Sequence, residues 1–191
     1  MLRLVLASAS PRRREILSSL GLTFVVRPTH ADETPRPGER AKELALRVAQ
    51  GKLAAAPVDP EEATLVADTV VDVDGVPLNK PESDDDARRM LRLLSGRTHE
   101  VHTAIAVAAR GRVLARVVTT EVVFRALDEG TIDRYVATGE GRDKAGAYGV
   151  QGMAAGMVVA VRGSPSNVIG LPAAETVALL EEAGVIVRWP A

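Results

Sequence analysis

The chain has 191 residues, enough for one domain with a real core, and 46% of them are apolar against 26% charged. Its 24 basic and 25 acidic residues leave a net charge of -1, so there is no global basic excess to hold a nucleic-acid backbone, and aromatics for base stacking are few. The absence of cysteine excludes disulfides, thiolate zinc sites and a cysteine nucleophile.

The N-terminal MLRLVLASAS has a short apolar run and an Ala-x-Ala, yet Ser8 and Ser10 interrupt it and Arg12, Arg13 and Arg14 follow at once. A secretory core needs roughly 7–15 apolar residues, so residues 2–7 read as a buried strand. No run approaches the ~18 apolar residues of a membrane span. The expected protein is cytoplasmic, in contact with neither membrane nor nucleic acid.

Ser10 then reads as an N-cap, with Pro11 at the first helical position, where its missing N–H is harmless; this helix runs to Leu20 and stops at Gly21. A strand over 23–27, a polar loop over 28–38 and a long helix over 39–56, closed by Pro57, come next. A strand over 64–73 turns at Asp74-Gly75, a hairpin signal. Ser83 caps a helix to about Leu94, with Asp84, Asp85 and Asp86 on the favourable side of its dipole. Strands over 99–109 and 113–124 form a hairpin around Gly111. Asp128 caps a short helix ending at Gly139, a Gly-rich stretch covers 139–156, a strand covers 157–162, and a last helix covers 173–183. The alternation of strands and helices predicts an α/β or mixed α+β fold, one domain over 1–191 with two lobes.

Four places carry chemistry. The turn from Ser8 to Arg14 offers free helix N–H groups, two hydroxyls and forked donors that match phosphate oxygens; a solvated basic face is the alternative. Asp68 stands inside an apolar strand, where a buried carboxylate is costly unless paired or bound to metal; an edge position facing water is the alternative. In a regular strand Thr69 points to the opposite face, and local bending is needed to bring both to one pocket. Lys52 continues the Leu44–Val48 stripe at i+4 spacing, so it either snorkels or reaches a buried anion. In the Gly-rich stretch, with Asp143, Lys144 and Tyr148, Gln151 can both donate and accept, which suits the imide edge of a pyrimidine; a plain connection is the alternative. Asp72 and Asp74 read as turn residues, His30 as isolated, and His99 and His102 as facing opposite sides of a strand.

Taken together, LASASPRRREIL, ADTVVDVDG, KPES, MLRLLSGRTHEVHTAIAV, ATGEGRDKAGAYGVQG and NVIGLP resemble the Maf family of septum-formation-inhibitor-like nucleotide pyrophosphatases. The resemblance implies an inosine-triphosphate-pyrophosphatase-like mixed sheet with flanking helices, two lobes and a cleft between them. It also implies a divalent cation, Mg²⁺ or Mn²⁺, a nucleoside triphosphate substrate, often a homodimer, and a link to septum formation. The Ala-Asp-Thr of 67–69 and the Tyr-Gly-Val-Gln-Gly of 148–152 resemble the branch that splits dTTP and UTP into monophosphate and pyrophosphate. By that resemblance Asp68 is the general base and Arg12, Thr69 and Gln151 set base choice. Ser8, Arg13, Glu33, Lys52 and Lys80 match polar positions lining the same cleft, where Ser8, Arg13, Lys52 and Lys80 are expected to bind phosphate and Glu33 with Asp68 to hold metal. Two departures stand out: Asn79-Lys80-Pro81 replaces Gly-Lys-Pro, and Gly163-Ser164-Pro165-Ser166 precedes Asn167 where an acidic or aromatic residue is common.

Overall fold

The computed structural model describes residues 2–190. Seven strands among them form one mixed sheet: β1 (Arg3–Leu6), β2 (Phe24–Val26), β3 (Glu62–Val73), β4 (Val76–Leu78), β5 (Thr98–Ala109), β6 (Arg112–Phe124) and β7 (Val158–Arg162). Their order is β2-β1-β3-β5-β6-β7, with β4 paired to β3; β1 runs parallel to both its neighbours and every other pairing is antiparallel. The helices are α1 (Pro11–Ser19), α2 (Ala41–Ala54), α3 (Asp84–Leu94), α4 (Glu129–Ala137), α5 (Pro165–Ile169) and α6 (Ala173–Glu182). No helix among the described residues is long and apolar enough to cross a membrane.

Local chemistry explains most of the boundaries. Ser10, Ser83 and Asp128 each accept a hydrogen bond from the backbone N–H three residues on, as N-caps do. Both hairpin turns place two consecutive residues at positive φ, Asp74-Gly75 at 52° and 81° and Arg110-Gly111 at 52° and 72°. Such turns match the right-handed twist of the strands they join. Helix α2 starts at Ala41, later than the expected residue 39, because Glu39 is drawn back onto Arg36 N–H and the Arg47 guanidinium. Helix α5 has no counterpart in the sequence reading, although Ser164-Pro165 carries the same start signal as Ser10-Pro11. Ser164 accepts from Asn167 N–H, and Pro165 opens the helix.

Alternate residues of the central strands face different helices. Leu65, Ala67, Ile105 and Val107 pack with Leu17 of α1 and Leu179 and Leu180 of α6. Val66, Val70, Ala104 and Ala106 pack with Leu44, Val48 and Ala49 of α2. Strands buried on both faces read as near-continuous apolar runs, as β3 does. Further along the same strands a second lobe forms, where Val71, Val73, Val101 and Phe124 pack with Met90 and Leu94 of α3, Ile132 and Val136 of α4, and Tyr148.

The two lobes meet at a break in one sheet edge. Strand β5 pairs with β3 without interruption from Thr64 to Asp72. On the opposite edge β1 covers only Glu62–Leu65, and β4 covers only Val71–Val73. Residues 66–70 of β3 therefore have no strand on that side, and a cavity of about 620 Å³ opens against them.

Candidate active site

The cavity lies within the range of roughly 300–1,000 Å³ usual for small-molecule sites. Asp68 and Thr69 both line it although β3 keeps its regular register. No bend is needed to bring them together, because the cleft wraps around the bare edge and meets both faces of the strand. Asp68 is both near an edge and enclosed, with 7% of its surface exposed.

On the α2 face, buried Lys52 donates from Nζ to Asp68 Oδ1 at 2.7 Å and pairs with Glu33 Oε1, also at 2.7 Å. The buried anion that Lys52 reaches is thus Asp68. Lys80 lies at the rim, 3.6 Å from the other oxygen of Glu33. The two carboxylates part company in acidity. Burial pushes Asp68 up, the charges of Lys52 and Arg13 pull it back, and burial wins, leaving it above the usual aspartate value. Partial burial also pushes Glu33 up, but Lys52, Lys80 and Arg13 outweigh it, and Glu33 ends below its usual value.

On the other face, Arg13 reaches back from the first turn of α1. Its Nε donates to the Gly170 carbonyl at 2.8 Å, Nη1 to Ser8 Oγ at 3.2 Å and Nη2 to Thr69 Oγ1 at 3.2 Å. Thr69 also shares a hydrogen bond with Thr103, which donates to the Asn167 carbonyl. Burial lowers the Arg13 pKa, with Asp68 and Glu33 pulling the other way. Ser8 Oγ accepts from Arg13 and from Ser10 N–H, which directs its own proton elsewhere. Arg12 turns away from Arg13 and spans the cleft to Asp143 Oδ2 at 3.2 Å. Solvent-exposed pairs of this kind contribute about 0–1 kcal/mol.

The Gly-rich stretch forms the facing wall, with Asp143, Lys144, Tyr148, Gly149, Gln151 and Gly152 on the cleft. Close packing within it requires two of its glycines. Any side chain at Gly141 would strike the Ala147 carbonyl, and one at Gly149 would strike the Lys144 stem. Gln151 is exposed at the rim, and its side chain takes part in no hydrogen bond among the described residues.

All nine residues singled out by the sequence resemblance, Ser8, Arg12, Arg13, Glu33, Lys52, Asp68, Thr69, Lys80 and Gln151, line this one cavity. His30, read as isolated, lines it too, as does Glu140, an acid among glycines that drew no notice. His99 and His102 face opposite sides as expected: His99 meets Tyr148 Oη at 2.7 Å, and His102 meets Thr119 at 3.0 Å. Asp84 does more than cap α3, since it pairs with Arg142. The two departures from the resemblance also have structural accounts. Asn79 is not at positive φ, so the turn does not require glycine; its amide donates to the Glu33 carbonyl. Ser164 and Ser166 cap α5 and α6 and do not line the cleft.

Glu33 and Asp68 converge on one point, now held by an ammonium, and both are hard oxygen donors. Among the described residues no group of three or more His, Asp or Glu gathers to hold a metal. Mg²⁺ is often bound by one or two carboxylates plus substrate phosphates and waters. The donor set therefore fits a hard divalent cation that takes the rest of its shell from a phosphorylated ligand.

Comparison with known proteins gives a consistent picture. A family model described as Maf-like protein matches residues 3–183. The chain is 53% identical to a protein of Anaeromyxobacter dehalogenans (strain 2CP-1) named dTTP/UTP pyrophosphatase, over 98% of this chain and 97% of that one. It is 48% identical to a protein of the same name from Methylobacillus flagellatus, over 98% and 96%. Among solved structures it resembles a HAM1 protein from Coxiella burnetii, with a TM-score of 0.51 at 19% identity over 98% of this chain and 99% of that one, a likeness of fold alone.

Proposed function

The chain belongs to the Maf-like protein family, and from that premise we propose that it hydrolyses dTTP and UTP to the nucleoside monophosphate and pyrophosphate. The observation that carries this reading is the charge cluster of the cleft, where Lys52, Arg13 and, at the rim, Lys80 surround two carboxylates of opposite pKa shift. A triphosphate needs the cations, and water attack needs a base.

Asp68 is the group tuned for proton transfer. A general base works best with a pKa moved toward the operating pH, and two carboxylates pushed apart mark a division of roles. Asp68 takes the proton of the water that attacks the α-phosphate. Glu33, held ionised by Lys52 and Lys80, stays a fixed negative charge. Glu33 and Asp68 are also the pair that would hold Mg²⁺ or Mn²⁺, which when bound supplies electrostatic stabilisation of the phosphate oxygens. Charge developing on the departing pyrophosphate is met by Lys80, Lys52 and the remaining N–H groups of Arg13, all in place before the reaction. Ser8 and the N-terminus of α1 add neutral donors.

Base choice falls to the opposite wall. Gln151 pairs with O4 and N3–H of uracil or thymine. Thr69 and Arg12 act one step removed, because the Thr69 hydroxyl is held by Arg13 and Thr103, and Arg12 ties α1 to the wall through Asp143. A panel of the common nucleoside triphosphates, with product identification and with and without chelator, tests the whole reading. Pyrophosphate and monophosphate from dTTP and UTP, lost on chelation, are expected. A preference for purine nucleotides, or release of orthophosphate, would refute it.

A further inference from the structure

Residues 149–152 carry the cleft-facing Gln151. They are fixed at their two ends. At one end Tyr148 is buried, packs edge-on against Phe124 and His99, and shares a 2.7 Å hydrogen bond with His99 Nε2. At the other end the carboxylate of Glu140 accepts from Met153 N–H at 2.8 Å, Ala154 N–H at 3.3 Å and the Tyr135 hydroxyl at 3.1 Å. Glu140 thus joins α4 to the backbone just past Gln151. Gly152 packs so closely on that carboxylate that a Cβ there would collide with it.

We infer that Glu140 is a positioning residue for base selection: its carboxylate clamps the backbone of 152–154 and so sets where Gln151 meets the base. Both carboxylate oxygens are already engaged by protein donors, so the group is committed to the clamp and not to substrate. An ionised acceptor holds backbone N–H groups more firmly than a neutral one. Burial raises the Glu140 pKa, and the N–H groups of Met153 and Ala154 with the Tyr135 hydroxyl outweigh it, so the carboxylate stays ionised. The amide of Glu140→Gln has only one oxygen, so at least one of the two backbone N–H groups loses its acceptor.

The inference rests on the proposed nucleotide hydrolysis for its assay but not on which base is preferred. Glu140→Gln and Gly152→Ala each disturb the same contact, one from each side. For both variants the KM of the preferred nucleotide is expected to rise about tenfold, and its preference over the next-best base to fall by a similar factor, the loss of roughly one charge-assisted hydrogen bond. Turnover number should change much less, and the double variant should be no worse than either alone, since both report one lesion. Amide hydrogen exchange over 149–154 should quicken in both, a readout that needs no substrate. A purine preference in the unaltered protein would refute the proposed function and leave this test readable through the same ratio. Unchanged exchange at 149–154 in Glu140→Gln would overturn the inference. So would a fall in turnover with the base ratio intact, or an effect of Glu140→Gln that Gly152→Ala does not reproduce.

Discussion

Asp68 and Thr69 are neighbours in one strand, but the two faces of β3 are built in opposite ways. The Asp68 face is made of charges: one ammonium lies 2.7 Å from each of two carboxylates. The Thr69 face is made of hydrogen bonds in which Arg13 is the only charged group, chained through Ser8, Thr69, Thr103 and the Gly170 carbonyl. A cluster of opposite charges rearranges when a triphosphate or cation arrives, because each new charge competes for the same partners. A satisfied hydrogen-bond chain does not, because moving one member leaves others unpaired. The comparison teaches that, under the proposed function, one face supplies groups that can rearrange during the reaction and the other supplies a fixed frame from which Arg13 meets the phosphates.

The largest effect is expected from breaking the charged face. Asp68→Asn should lower pyrophosphate release from dTTP by roughly 10²–10⁴-fold, the usual worth of a general base. The circular-dichroism spectrum should stay native. Turnover within tenfold of normal in such a folded protein would remove Asp68 from the chemistry.

Arg13→Lys attacks the other face while keeping the charge. A single ammonium cannot serve Ser8, Thr69 and the Gly170 carbonyl at once. Losing one or two such charge-assisted bonds should cost about 2–4 kcal/mol in urea unfolding, and kcat/KM should fall with it. Near-normal stability would mean that charge alone matters on this face and that the contrast drawn above is false.

A pH profile sharpens the contrast further. As the proposed base, Asp68 must be ionised to act, and burial raises its pKa, so the acid limb of kcat/KM should lie above the ordinary aspartate value. Lys52→Met removes the charge that pulls Asp68 down, so that limb should move to still higher pH. The stability signs oppose each other. A raised carboxylate weakens the native state as pH rises from its unfolded value through its folded one. Glu33, with a lowered pKa, contributes stability above its unfolded value that is lost as pH falls through its folded one. An acid limb at the ordinary aspartate position would put another group in the role of base.

The smallest effect is expected from Thr69→Val. It keeps the shape and removes one acceptor of Arg13, worth about 1 kcal/mol or a several-fold rise in KM for UTP. A loss as large as that of Arg13→Lys would show that the hydroxyl touches substrate directly.

Much of the fold was legible in the chain because the signals were local. Ser10-Pro11, Ser83 and Asp128 start helices where their spacing says, and Asp74-Gly75 turns a hairpin because both residues take positive φ. The same Ser-Pro signal at 164–165 went unread because α5 is only five residues long and shows no apolar periodicity. The set of residues that line the cleft was legible through the resemblance, but their partnerships were not. Arg12 and Arg13 are adjacent in sequence, yet one bonds a residue 131 positions away and the other a residue 157 positions away. Glu140 escaped notice for the same reason, since two of its donors lie 13 and 14 residues on, beyond any helical or strand spacing.

The sequence by itself determined the elements, the alternation that buries β3 on both faces, and the set of charged and polar groups available to the cleft. It did so because capping, turn geometry and side-chain alternation depend only on near neighbours. Only the tertiary structure decided that β1 and β4 leave residues 66–70 bare, and therefore that both faces of β3 line one cleft. It alone decided that Asp68 rises in pKa while Glu33 falls. Burial and the distance to an opposite charge set those shifts, and packing between segments far apart in the chain sets both.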